Sequence, residues 1–298
     1  MSKDSPKIPL KKIHQGKVRD VYEVDDQHLL MVASDRLSAF DVVLPDAIPH
    51  KGALLTQISN FWFKKMRPII KNHLTQIPVA EVIPNADDDL IQRSVVVKKL
   101  KALPCEAIVR GYIIGSGWKD YQNRGEICGI QLPKNLLQAE QLTDPLFTPS
   151  SKAQVGDHDE NISFDQLTEL IGTERAAQLR QVSLEIYQQA SQHALEKGII
   201  IADTKFEFGL DDNDELVLMD EVLTPDSSRF WNQATYQVGI SPESYDKQFI
   251  RDYLETLDWN KQAPGPNVPA EIIQKTAAKY HEAYRRITGQ DFKQESQS

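Results

Sequence analysis

The sequence is poor in cysteine, with only Cys105 and Cys128 among its 298 residues. The two have no metal-ligand spacing, and so few cysteines cannot build the disulfide framework on which many secreted chains depend. We therefore expect two unlinked thiols in a protein of a reducing compartment.

Long apolar runs and an excess of positive charge are also missing. No uninterrupted apolar stretch approaches the roughly 20 residues that span a bilayer, and the opening segment MSKDSPKIPLKKIHQ has no apolar h-region. A formal net charge of −9 argues against a general binder of nucleic acid or anionic membranes, but it leaves room for a local basic pocket that holds a small phosphate compound. We expect a cytoplasmic protein with neither nucleic acid nor membrane as a partner.

What is present is ordinary globular composition, 40% hydrophobic and 26% charged, in a chain long enough for one large or two smaller units. The first third is rich in strand-like segments and predicts a mostly antiparallel β unit. Its predicted strands are KVRDVYEV, HLLMVAS, SVVVKKLK and CEAIVRGYII, and the helix-like segment LTQISNFWFKKM interrupts them.

The middle of the chain changes character. Residues 129–161 are loop-like and polar, and structureless stretches of this length in compact proteins are often functional. Ser163 and Gln166 form a plausible capping box, and a long helix is predicted from Thr173 to about Lys197. A last helix is predicted over 269–287.

The stretch IADTKFEFG at 201–209 places Asp203, Lys205 and Glu207 at every second position. Successive side chains of a strand point to opposite faces, so these three share a charged face while the other face is apolar. The charged face could simply lie in open water and keep the strand soluble. The surrounding residues decide between that interpretation and a functional one.

The turn LDDNDE and the strand LVLMDEV complete a predicted hairpin. We assume that Gly209 faces Leu216. That register puts Lys205 opposite Asp220, on the face that carries Glu207. Mg²⁺ that accompanies a nucleotide takes one or two carboxylates together with water and phosphate oxygens, so the hairpin suggests a metal site. The alternative is a cross-strand salt bridge on a solvated face, which the hairpin alone does not exclude.

Polar residues next to other predicted strands could join this site. Gly16 and Lys17 precede a strand and could fold a hairpin over phosphates, although a single glycine is no phosphate-binding fingerprint. The turn-forming run PDSSR delivers Asp226 and Arg229 after the charged hairpin. Similar residues are Ser38 and Asp41 in SDRLSAFD, and Arg110 and Ser116 in VRGYIIGSGW. Each of them alone could be a loop anchor.

Eight segments in this order resemble the phosphoribosylaminoimidazole-succinocarboxamide synthase (SAICAR synthetase) family in its single-function form. They are GKVRDVYEV, SDRLSAFD, KGALLTQISNFWF, CEAIVRGYIIGSGWKDY, LFTPSSKA, GDHDENIS, IADTKFEFG and DEVLTPDSSRFW. The resemblance implies a purine-biosynthesis ligase that uses ATP, the carboxylated aminoimidazole ribotide CAIR and L-aspartate to make SAICAR, ADP and phosphate. Because a carboxylate is a poor electrophile, the expected route passes through an acyl phosphate that the aspartate amine attacks.

The resemblance also implies roles for individual residues. Residues expected to bind ATP are Gly16, Lys17, Val18 and Arg19 at the phosphates, with Glu106 and Ala107 in the segment that resembles the adenine-facing hinge. The expected Mg²⁺ ligands are Glu207 and Asp220, and the expected catalytic lysines are Lys205 and Lys152. Residues expected to line the ribotide pocket are Ser38, Asp41, Arg110, Ser116, Asp226 and Arg229, because phosphate and carboxylate favour forked donors. Those expected near aspartate, together with Lys152, are His158, Asp159 and Asn161.

The fold implied is α+β in two lobes, with ATP between them. We expect a β-rich N-terminal lobe over 1–105 and an α/β lobe over 106–298, with no obligate protein partner. Two other functions remain open. A small-molecule kinase would release its phosphorylated product intact and would need no second nucleophile. A catalytically dead nucleotide-binding regulator could keep the fold but would be expected to lose a metal carboxylate or Lys205.

Overall fold

A computed structural model describes residues 8–152 and 160–293 of the chain. The strands are β1 Lys11–Gln15, β2 Arg19–Glu23, β3 His28–Ala33, β4 Arg36–Ala39, β5 Val42–Ala47, β6 Ser94–Lys98, β7 Lys101–Ala102, β8 Cys105–Tyr112, β9 Glu126–Ile127, β10 Ile130–Gln131, β11 Gln141–Phe147, β12 Ser150–Ser151, β13 Glu160–Asn161, β14 Ile199–Leu210, β15 Leu216–Met219 and β16 Ser228–Asn232. The α-helices are α1 Lys51–Met66, α2 Val79–Val82, α3 Asp88–Gln92, α4 Gly115–Arg124, α5 Phe164–Ile171, α6 Thr173–Glu196, α7 Gln248–Glu255 and α8 Ala270–Thr288. This mixture of helix and sheet confirms the α+β class.

The chain forms two compact units. Unit 1 comprises Met1–Phe61, His73–Lys99 and Lys247–Ser298, and unit 2 comprises Trp62–Asn72 and Leu100–Asp246. The predicted division placed the whole C-terminal region in the second lobe, whereas the segment from Lys247 onward belongs to unit 1. The reason is packing within that unit: the Lys247 ammonium donates to the carbonyl of Ser38, and the Val268 amide donates to Asp46 Oδ2 at 2.7 Å.

Unit 1 contains an antiparallel sheet with the strand order β1-β2-β3-β6, and β4 and β5 form a separate hairpin. Alternate residues of the sheet strands point into a core with α2 and α3, because a half-buried strand buries every second side chain. Tyr22, Leu30, Val32 and Val96 are buried there. The antiparallel β unit predicted for the first third is confirmed, although its fourth predicted strand, β8, lies in unit 2.

Unit 2 is built on a large sheet with the order β13-β12-β8-β14-β15, and β11, β7 and β16 pair with β8 or β14 outside that path. Helix α6 packs on β14 and β8. The side chain of Ser163 caps α5 in the predicted capping box. The segment predicted as a loop over 129–161 contains the short strands β10 to β13, of which β11 and β12 pair with β8.

The predicted hairpin of β14 and β15 is present, but its register differs from the assumed one by one residue. Gly209 faces Val217, and Glu207 faces Met219. The amide of Asp211 donates to the carbonyl of Glu215, and the connection from Gly209 to its partner is one residue longer than we assumed.

The two cysteines are unlinked, as predicted. Burial raises the pKa of Cys105 and that of Cys128 to about 11 each. Within the described part of the chain, no helix combines the length and the apolar character that crossing a membrane requires.

Candidate active site

The charged face of β14 is not a solvated surface. Asp203 is only 5% exposed, and Lys205 and Glu207 are half-buried. Strand β14 lies between neighbours, with Asp203 opposite Arg110 of β8 on one side and opposite Arg229 of β16 on the other. The open-water interpretation of this strand is therefore wrong, and each of the three charges has charged neighbours inside unit 2.

A lysine and carboxylate cluster surrounds the second half of this face. Lys205 Nζ donates to Glu106 Oε1 at 2.5 Å, and Lys152 Nζ donates to Glu207 Oε2 at 2.6 Å. The second carboxylate oxygen of Glu106 accepts from the hydroxyl of Ser150 at 3.1 Å. The side chain of Glu106 is 7% exposed and that of Lys205 40%, so the anion is buried while the ammonium group remains accessible.

The environment of Glu207 favours the protonated form of its carboxyl group. Burial raises its pKa above the ordinary value, the charge of Asp220 raises it further, and Lys152 and Lys205 oppose the shift. Asp220 is therefore close to Glu207, although the observed register does not place it opposite Lys205. Asp220 follows the last residue of β15 and has a left-handed φ of 67°, which breaks the alternation of the strand.

This cluster fits a divalent cation. Its three carboxylates, on Glu106, Glu207 and Asp220, exceed its two ammonium groups by one negative charge, and the excess lies at Glu207 and Asp220. Among the described residues no group of three or more His, Cys, Asp or Glu side chains could hold a metal ion. Two carboxylates are nevertheless the usual protein contribution to Mg²⁺ that carries a nucleotide, since water and phosphate complete the shell.

The first half of the charged face forms an arginine cluster. Asp203 Oδ2 accepts from Arg110 Nη1 at 3.1 Å and also from Arg229 Nη1. Arg110 further donates from Nε to Thr148 Oγ1 and from Nη2 to Ser116 Oγ, both at 3.0 Å. Two guanidinium groups share one carboxylate, so these three groups carry one positive charge in excess.

The two arginines differ in access. The Arg110 side chain is 3% exposed, and burial lowers its pKa, with Asp203 opposing the change. The Arg229 side chain is 40% exposed. Gly115, at φ +61°, lies against Arg229, since a Cβ there would come within 2.4 Å of Nη2. Arg229 is therefore the arginine better placed to reach a ligand.

In unit 1, the predicted phosphate turn joins β1 to β2. The amide of Gly16 donates to the carbonyl of Arg19 at 2.7 Å. Arg36 holds the turn from outside, donating to the carbonyls of Lys17 and Gly16 and to Asp20. Lys17 Nζ contacts Asp41 Oδ1 at 2.5 Å, and both side chains are exposed. A residue predicted for ATP and one predicted for the ribotide are thus ion-paired here.

The remaining predicted residues are more scattered. Asn161 Nδ2 donates to Asp120 Oδ2 at 2.7 Å, and the amide of Asp226 donates to Thr224 Oγ1. Ser38 lies in β4 of unit 1, and its carbonyl accepts from Lys247. The predicted residues His158 and Asp159 lie outside the described residues.

The adenine-facing role predicted for Glu106 and Ala107 conflicts with the sheet. At this point β8 is paired with β12 on one side, where Ser150 faces Glu106, and with β14 on the other, where Phe206 faces Ala107. A hinge must offer unpaired backbone groups to the ring, and a strand between two neighbours has no open edge there. The Glu106 side chain belongs instead to the lysine and carboxylate cluster.

Sequence reasoning assigned no site role to Asp203, Thr148 and Ser150, which hold the two clusters together, or to Arg36, which holds the predicted phosphate turn. The alternation in IADTKFEFG was a sufficient signal for Asp203, which is in phase with the two predicted functional residues on its strand. The other three became visible only through pairing between distant segments, which the sequence does not specify.

Known proteins resemble the chain over almost its whole length. The sequence profile described as SAICAR synthetase matches residues 12–266. A curated relative, the phosphoribosylaminoimidazole-succinocarboxamide synthase of Thioalkalivibrio sulfidiphilus, is 61% identical over 284 residues, which cover 95% of each chain. The structure of the SAICAR synthase from Saccharomyces cerevisiae complexed with SAICAR matches with a TM-score of 0.90 and 44% identity, covering 98% of this chain and 99% of that one. A SAICAR synthetase (type 2) in complex with ADP matches with a TM-score of 0.70 and 26% identity, covering 94% and 99%.

These relatives and solved structures define the class first, a ligase that uses a nucleotide. Since the family profile and the relatives agree over nearly the full length, the chain belongs to the SAICAR synthetase family. The resemblance inferred from the eight sequence segments is confirmed.

Proposed function

We propose that this protein joins L-aspartate to the carboxylate of CAIR with consumption of ATP, giving SAICAR, ADP and phosphate. The observation that carries the proposal is the arrangement along strand β14. An accessible arginine lies beside Asp203, and two neighbouring carboxylates that could bind a cation lie at Glu207 and Asp220. The first suits the anionic groups of a ribotide, and the second suits the phosphates of a nucleotide.

The residues divide the chemistry between them. The exposed edge of Arg229, with Ser116 and the buried Arg110 behind it, holds an anionic group of the ribotide. Lys205, fixed by Glu106, neutralises charge that develops on the transferred phosphoryl group, because catalysis of such transfers is mainly positioning and charge stabilisation. Glu207 and Asp220 would hold Mg²⁺, which would neutralise nucleotide phosphates when bound.

The second chemical step needs an amine and no protein nucleophile. The nitrogen of aspartate attacks the acyl carbon, the bond between that carbon and the phosphate-bearing oxygen breaks, and inorganic phosphate leaves with one oxygen of the former carboxylate, while the nitrogen gives up a proton to solvent. Lys152 lies one residue before the undescribed segment 153–159, and its contact with Glu207 places its ammonium group beside the carboxylates. We assign it to the carboxylate of CAIR or of aspartate. The turn of Gly16, Lys17, Val18 and Arg19 is assigned to the ATP phosphates.

The test is an ADP-release assay in which ATP, CAIR and L-aspartate are omitted in turn. Sustained ADP release is expected only when all three are present. A small-molecule kinase would release ADP at the same rate without aspartate, and that result would replace the ligase assignment. SAICAR should accumulate in proportion to ADP, which mass spectrometry of the product measures.

A further inference from the structure

We propose that Glu106 is a positioning residue for Lys205, whose ammonium group it fixes for the phosphoryl transfer. The inference rests on the function proposed above and deepens it. It replaces the adenine-facing role that the resemblance implied for Glu106.

The pairing of β8 and β14 creates the contact. Lys205 faces Ile108 and Phe206 faces Ala107, so continuation of the same antiparallel register brings Glu106 opposite Glu207. Residues two positions apart on a strand share a face, which places Glu106 diagonally across from Lys205 and within reach of its long side chain. Each of the two glutamates accepts from a lysine, Glu106 from Lys205 and Glu207 from Lys152.

The carboxylate of Glu106 is fixed at both oxygens. Oε1 accepts from Lys205 at 2.5 Å, Oε2 accepts from Ser150 at 3.1 Å, and the side chain is 7% exposed. A lysine is a point charge on a flexible four-carbon stem, so an oriented anion is what defines its position. Ser150 orients Glu106 and Glu106 orients Lys205, while the ammonium group stays accessible to a ligand.

Stability alone is a weak reason for such a pair. A buried ion pair loses hydration on folding, and its replacement by apolar groups is often neutral or stabilising. The arrangement instead resembles the second layer of interactions that orients ligands around a functional centre. Glu106 differs from Glu207, whose carboxyl is the one repelled by Asp220.

The experiment compares wild type with Glu106→Gln, which keeps the shape and a hydrogen-bond partner for Ser150 but removes the charge. We expect kcat to fall about tenfold or more, with the KM values changed less than about threefold and the melting temperature within about 3 °C of wild type. Glu106→Asp keeps the charge and should recover part of kcat.

Modification of Lys205 by an amine-selective reagent, followed by mass spectrometry, should increase in Glu106→Gln.

Glu215→Gln is the matched control, because it makes the same change in the exposed Lys71–Glu215 pair of unit 2. It should leave kcat, the KM values and Lys205 labelling unchanged.

The proposal is overturned if Glu106→Gln keeps kcat within twofold, or if kcat, all KM values and the melting temperature decline together. If wild-type ADP release needs no aspartate, the proposed function fails whatever Glu106 does; if it needs aspartate and Glu106→Gln matches wild type, only this inference fails.

Discussion

The two ends of the charged face of β14 carry opposite charge arrangements. At Asp203, one carboxylate serves two guanidinium groups, and positive charge is in excess. At Glu207, about 13 Å further along an extended strand, carboxylates outnumber the ammonium groups. The difference shows how one strand can carry excess positive charge at one end and excess negative charge at the other, because side chains of neighbouring strands decide the local sign of charge.

The largest effect is expected when one negative charge is removed from the carboxylate pair of Glu207 and Asp220. Glu207→Gln and Asp220→Asn should each lower kcat about a thousandfold, since charge stabilisation of the phosphoryl group depends on the cation held there. Neither change should reduce the melting temperature, because each relieves repulsion between two carboxylates. Mn²⁺ binding measured by electron paramagnetic resonance should weaken in parallel. Near-normal turnover in both variants would restore a purely structural interpretation of the pair.

The next test removes the anion at the other end. Asp203→Asn leaves two arginines without their shared charge, one of them buried, and should lower the free energy of unfolding by about 3 kcal/mol. Asp214→Asn, which breaks the exposed pair with Arg175, should cost less than about 1 kcal/mol. Urea denaturation measures both. Equal effects would show that the buried cluster contributes no more than a surface salt bridge.

Substitution of the two arginines should distinguish substrate binding by Arg229 from structural support by Arg110. Arg229→Lys replaces a planar fork by a point charge at the accessible site, and should lower kcat/KM for CAIR about tenfold to a hundredfold. The KM for ATP and that for aspartate should change less. Arg110→Lys should instead reduce the melting temperature and alter all three substrates alike, because its donors hold Asp203, Thr148 and Ser116. A change confined to ATP or aspartate in Arg229→Lys would contradict the ribotide assignment.

The smallest expected effect is on the pH dependence of stability. The folded-state pKa of Glu207 lies above its ordinary value of 4.5, so the folded protein holds this proton more tightly than the unfolded chain. Its contribution to stability is present at low pH and is lost as the pH rises from about 4.5 through the folded pKa. Thermal unfolding of wild type and Glu207→Gln across this range should show the difference.

Mg²⁺ should reverse this loss, because it binds the deprotonated carboxylate. The increase in melting temperature on addition of Mg²⁺ should therefore grow with pH in wild type and be absent in Glu207→Gln. An increase of the same size in both proteins would locate the cation elsewhere.

The sequence was sufficient to predict β2, β3, β6, β8 and the hairpin of β14 and β15, because strand-forming residues and their alternation are local properties. It did not determine the register, since LDDNDE can close in either of two registers and the bond between Asp211 and Glu215 selects the one that pairs Gly209 with Val217. The proximity of Glu207 and Asp220 was expected from a register that the hairpin does not have, and their role as metal ligands stays a prediction. The left-handed backbone at Asp220 compensates for the shift of one residue, and no alternation rule predicts it.

The adenine-facing role predicted for Glu106 conflicts with the structure for a different reason. Its role depends on strands β12 and β14, whose residues lie 44 and 99 positions away along the chain. Pairing over such separations follows from the whole sheet. The same holds for the C-terminal helix α8, which the sequence predicts as an element but not as a member of unit 1, whereas α7 was not predicted.

The chemistry of the two cysteines has a practical consequence for labelling. With a pKa of about 11, each thiol is ionised in only about one molecule in ten thousand at pH 7, and the thiolate is the reactive form. Maleimide dyes should therefore leave Cys105 and Cys128 almost untouched in the folded protein. A single cysteine introduced at an exposed position such as Glu215 can carry a fluorophore without prior removal of the native thiols, so that substrate-driven motions can be followed in single molecules of otherwise natural sequence.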